Sequence, residues 1–170
     1  MPEILPFFAR LHARGRLLLG RCFSRSALAA LPAALVVTGP GPAAQEFPRM
    51  ELAAGMYRIE AEVAATPDTR EKGLMYRTAL PLNQGMLFVF PQAARHCMWM
   101  RNTLLPLSVA FLDSQGRIIN VAEMQPRTDT NHCASEPASY ALEMNGGWFN
   151  ARGLKAGVHL QGIERAPAAR

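Results

Sequence analysis

From Tyr57 to Val63 the chain alternates without exception, with Tyr57, Ile59, Ala61 and Val63 on one side and Arg58, Glu60 and Glu62 on the other. A period of two cannot be laid along one face of a helix, so this stretch specifies a half-buried β-strand. Apolar runs then recur at short intervals: GMLFVF, HCMWMRNT, LSVAFLD, RIINVAEMQ, YALEM and VHLQGI. They are parted by turn signals such as DSQG, from Asp113 to Gly116. Short strands at turn-limited spacing predict a mainly β fold, a single compact sandwich or barrel-like domain. One or two short helical segments interrupt it. At TPDTREKGLMYR, Thr66 suits the N-cap, Pro67 the first helical position and Asp68 the positive end of the dipole, with Gly73 as the stop. WFNARG predicts a second helical turn.

The charge is unevenly placed. The net charge is +5, yet residues 1–44 hold five arginines and one acid, while residues 45–170 hold 13 basic and 12 acidic groups. A near-neutral body without a basic stripe lacks the electrostatic footprint of a nucleic-acid binder. The arginines precede an apolar run, Ala27 to Thr38, and then the small residues of GPGPAAQ, the order expected of an export signal. The run is broken by Pro32 and is shorter than the about 20 residues that span a bilayer, so no permanent membrane span is expected. The expected organisation is a cleaved signal over 1–44, a linker over 45–55, a β domain over 56–165 and a disordered tail over 166–170. The mature protein is then periplasmic or otherwise exported. Cleavage removes Cys22 and leaves Cys97 and Cys133. They are either a disulfide or two buried thiols, and an oxidising compartment favours the bridge.

No G-x-S-x-G, H-E-x-x-H or phosphate-cradling glycine loop occurs, no cofactor is implied, and the chain leans towards a non-enzymatic binding or accessory module of the cell envelope. A pocket near Arg77, Trp99, Asn102 and Thr103 would take a small molecule, a peptide or another envelope protein. Asn102 and Thr103 serve equally well as turn residues, Asp113 as the first residue of DSQG, and Glu143 as a solvated strand residue. A rival reading is an enzyme using Arg77, Asp113 or Glu143, which requires a pocket carboxylate of shifted pKa. A second rival is a copper-handling protein. On a strand His96, Met98 and Met100 share one face, with Cys97, Trp99 and Arg101 opposite, and His132 would complete the donor set. No metal site is favoured, because methionine is also the usual filler of irregular cores.

TPDTREKGLMYR, GMLFVF, CMWMRNTLLPLSVAFLD, GRIINVAEMQP and YALEMNGGWFNARGLKAGVHL, in that order, resemble the bacterial family known as domain of unknown function 192. The resemblance runs from about residue 57 to 163. It implies a compact, mainly β fold, often exported and without assigned activity. Carried over residue by residue, it places a recurrent polar set on Arg70, Arg77, Asn102, Thr103, Asp113 and Glu143, with Trp99, Met100, Met124 and Tyr140 as apolar companions. If the leader is a cleaved signal, protein isolated from its native host begins at Ala44 or Gln45. N-terminal sequencing of that material checks this, and an intact Met1 in a cytosolic fraction refutes it.

Overall fold

The computed structural model describes residues 47–170, so the expected signal segment lies outside the described residues. The strands are β1 (Arg49–Ala54), β2 (Tyr57–Ala64), β3 (Gln84–Ala94), β4 (Cys97–Met98), β5 (Leu107–Leu112), β6 (Ile118–Met124), β7 (His132–Cys133), β8 (Ala138–Asn145) and β9 (Leu160–Gln161). One α-helix, α1 (Pro67–Lys72), and two short 3₁₀ turns accompany them. Seven strands form one curled sheet in the order β6-β5-β8-β3-β2-β1-β9, and β4 pairs separately with β7. The fold is therefore a mainly β half-barrel, as the strand pattern predicts. Its open side is tied by a bridge between Arg117 and His159 and by amide bonds from Ile118 to the Val158 carbonyl and from Leu160 to the Gly116 carbonyl.

Two boundaries differ from expectation. The stretch expected as a linker contains β1, which pairs antiparallel with β2 and buries Leu52 and Ala54. The last residues, expected as a disordered tail, return to the body: the Arg170 amide donates to the Ala65 carbonyl, and Ala166 and Ala169 pack on the core. The strand expected through HCMWMRNT is reduced to Cys97–Met98, because Arg101 and Asn102 turn and Asn102 takes a left-handed φ of 61°.

The helix forms where its sequence signals lie. Thr66 caps α1 through a capping box with Thr69, Pro67 opens it, and the Gly73 amide closes on the Thr69 carbonyl. Its function is topological, since β2 and β3 are parallel and a parallel pair needs a crossover. Gly73 also permits close approach. A Cβ there would stand 3.1 Å from the Phe88 ring, so the end of α1 is seated directly on β3.

Both faces of the sheet are buried. One cluster draws Leu52, Ile59, Val63, Leu87, Leu112, Ile118 and Leu142 from across the strands, together with Trp148 and Phe149. The other face carries Met86, Phe88, Val109, Phe111 and Ala141, roofed by Leu74, Met100, Met124 and Ala134. Met100 and Met124 are thus fully buried filler, and Tyr140 packs against the first cluster.

Cys97 and Cys133 are bridged across 36 residues. They sit directly opposite each other in the β4–β7 ladder. The Ala134 amide donates to the His96 carbonyl one step outside them, which makes them a non-hydrogen-bonded pair, the closer of the two pair types. A closed loop of that length stabilises by about 4 kcal/mol in the chain-entropy model. Thiol titration of the denatured, unreduced mature protein should find no free cysteine, and Cys97→Ser with Cys133→Ser should lower the unfolding free energy by about that amount.

Candidate functional site

A cavity of about 560 Å³ lies between the end of α1 and the β4 strap. One bank is α1 and its exit, from Arg70 to Met75; the floor is Phe88 and Phe90 of β3; the other bank is His96 to Trp99. Thr103 and Glu143 are the buried polar residues in its lining, 5% and 4% exposed. Among the described residues no hydrogen bond is made by the Thr103 hydroxyl or the Glu143 carboxyl, although the fully enclosed side-chain atom left without a partner is Arg152 Nε.

Glu143 is central on β8, opposite Met86 of β3 and Val109 of β5. Gly85 beside Met86 allows this: a Cβ there would strike the Glu143 carbonyl oxygen and the Met144 sulfur. Burial without a compensating charge or donor pushes the Glu143 carboxyl up from 4.5 to about 8, and desolvation is the cause. At neutral pH the group is a carboxylic acid, one donor and one acceptor in an apolar wall.

The wall opposite is soft and aromatic. Phe90 and His96 stack with centroids 3.7 Å apart, and His96 Nε2 lies 2.9 Å from the Gln92 carbonyl oxygen. Trp99 is half-buried, with the Arg101 guanidinium 5.1 Å above its ring, while Arg101 Nε donates to Asp129. Arg70 braces the other bank, its Nη1 donating to the carbonyls of Ala65 and Val89.

Of the candidates read from the sequence, Arg70, Trp99, Thr103 and Glu143 line this cavity, as do His96 and Met98 of the copper reading. Arg77 is held elsewhere by a bidentate pair with Glu62, its guanidinium 5.7 Å from the Phe47 ring centre. Asp113 closes its own turn, accepting from the amides of Gln115 and Arg117 and from Arg117 Nε. Asn102 is a turn residue whose carbonyl accepts from the Tyr76 amide; Tyr76 is itself left-handed, at φ 61°. The donor set read for copper is not assembled: Met98 lies opposite His132, but Met100 is sealed in the core and His96 is stacked on Phe90. Among the described residues no three His, Cys, Asp or Glu side chains form a metal-binding group. Phe88, Phe90 and Leu74 are cavity residues that the sequence pattern presents only as core.

The family model described as Uncharacterized ACR, DUF192, matches residues 50–162. The chain belongs to this family. No curated protein matches it. Two solved structures are similar to this DUF192 chain. A chain from Sinorhizobium meliloti 1021, provisionally named a transcription regulator, is 33% identical with a TM-score of 0.64, over 68% of this chain and 95% of that one. A protein of unknown function from Novosphingobium aromaticivorans DSM 12444 is 31% identical with a TM-score of 0.65, over 78% and 94%.

The raised Glu143 pKa has a defined pH signature. Below pH 4.5 the group is protonated in folded and unfolded chains alike, so its full contribution is present. Between 4.5 and about 8 only the unfolded chain releases the proton, and stability falls as pH rises until it levels off above about 8. The whole span is worth roughly 5 kcal/mol. Denaturant unfolding at pH 5 and at pH 8.5 should therefore show Glu143→Gln gaining several kcal/mol on the parent across that interval; parallel curves would contradict it.

Proposed function

We propose that this DUF192 protein is an exported, non-enzymatic binding module of the cell envelope that holds a small molecule in the cavity above Phe88. The observation that carries the reading is Glu143, a carboxyl buried in an apolar wall, without a hydrogen-bond partner among the described residues and lining a cavity large enough for a ligand. A group of that kind costs stability in the empty protein, so its presence is accounted for by what it meets in the bound one. The cavity has the usual composition of a ligand site, aromatic and aliphatic walls with a few convergent polar groups. The basic, apolar and small-residue order of the leader supports export, and a bridged cysteine pair is at home in an oxidising compartment. Among the described residues no helix is long and apolar enough to cross a membrane. The provisional name of the Sinorhizobium chain suggests a nucleic-acid partner, which the near-neutral charge of residues 45–170 argues against.

The same carboxyl favours a second reading, an enzyme in which Glu143 is the general acid, since a pKa of about 8 is suited to proton transfer near neutrality. Arg77 and Asp113, the other groups expected in such chemistry, are engaged away from the cavity, so binding is the better supported function. The test is Glu143→Leu. It should raise the melting temperature, because an unpartnered polar group becomes apolar, and should abolish retention of the small molecule seen by native mass spectrometry of protein from its host. A variant several kcal/mol less stable than the parent would mark Glu143 as structural and overturn the proposal.

A further inference from the structure

The two ends of the cavity are chemically different. At one end stand Glu143 and Thr103, buried and without side-chain hydrogen bonds among the described residues. At the other stand Arg70, Glu71 and Lys72 of α1, two cations against one acid; the Arg70 guanidinium donates to the main-chain oxygens of Ala65, Val89 and Arg170, and Lys72 Nζ lies 5.9 Å from the Phe47 ring centre. The strand register measures the separation. Glu143 lies opposite Met86, whereas Arg70 reaches Val89, three residues further along the same strand. At about 3.3 Å per residue that is roughly 10 Å. Phe88 lies between, and Trp99 and Met98 form the facing wall.

A ligand that fills this space needs an apolar body to cover the aromatic floor, an acceptor for the Glu143 and Thr103 hydroxyl groups, and a negative charge beside the α1 cations. An amine is disfavoured: it would meet an end where Arg70 and Lys72 outweigh Glu71 and would require an ionised Glu143 in an apolar wall at the other. Resting on the binding function above, we infer that the cavity takes an apolar or aromatic carboxylate that carries an uncharged hydrogen-bond acceptor at its far end. The carboxylate lies by Arg70 and Lys72, the ring or chain crosses Phe88, and the acceptor meets Glu143.

Three small probes of similar shape test this by isothermal titration calorimetry at pH 6.5 on the disulfide-bonded mature protein. 4-Acetamidophenylacetate has all three features, 4-ethylphenylacetate lacks the acceptor, and 4-methylacetanilide lacks the carboxylate. The full probe should bind about tenfold more tightly than the probe without the acceptor, the effect of leaving a buried donor unmet. Glu143→Leu should remove that advantage while leaving 4-ethylphenylacetate bound as before. Lys72→Gln, an exposed change that spares the Arg70 brace, should weaken both carboxylates a few-fold and leave 4-methylacetanilide unchanged. Equal affinity for all three probes, or tighter binding of 4-acetamidobenzylamine, overturns the ligand class. If no carboxylate binds but Glu143→Leu still strips the small molecule from host-derived protein, the ligand class fails and the binding function stands. If neither is seen, both fail.

Discussion

A sheet covered on both faces has no wet side for its central strands, and the rest of this structure follows from that constraint. β8 lies between β3 and β5, with one apolar cluster on each face, so its consecutive residues Ala141, Leu142, Glu143 and Met144 are all buried whichever way they point. Strands in that position normally carry only apolar residues. Glu143 breaks the rule, and among the described residues no hydrogen bond or counter-charge offsets its burial. A cavity opens there instead. Gly85, the seating of α1 on Phe88 and the bridged β4–β7 strap together hold that cavity's walls in place around the carboxyl.

Much of the architecture was legible from local signals, because those signals are short-range. The cap, the proline and the terminal glycine of α1 act within one another's reach, and the helix falls between the residues they mark. DSQG likewise builds its turn from Asp113 and the amides next to it. What could not be read was set by partners distant in sequence. β1 does alternate, with Met50, Leu52 and Ala54 against Arg49 and Glu51, but it adjoins the leader and ends in small alanines, so it passes for a linker until β2 and β9 are seen on either side of it. The parallel pairing of β2 with β3 has no local signature beyond the intervening helix.

The site shows the same division. An acid inside the apolar run YALEM is a visible anomaly, and a Trp beside Arg-Asn-Thr is a visible cluster, and both Glu143 and Trp99 come to the cavity. Arg77 and Asp113 look equally eligible in a one-dimensional reading. Whether an arginine is free depends on what faces it, and Glu62, on the neighbouring face of β2, takes both of its terminal nitrogens. The opposite error occurs at Phe88 and Phe90, which look like plain core until a helix end and a bridged strap are found to stop short of covering them.

The tie between Arg117 and His159, with β9 lying against β1, has a consequence for how the molecule is made. The first and last strands of the sheet are neighbours, so a nascent chain leaves the sheet's β1 edge bare until residues 157–161 have been synthesised. Until then the hydrogen-bonding groups of β1 that β9 later meets are left to water, and the half-barrel cannot close along that edge.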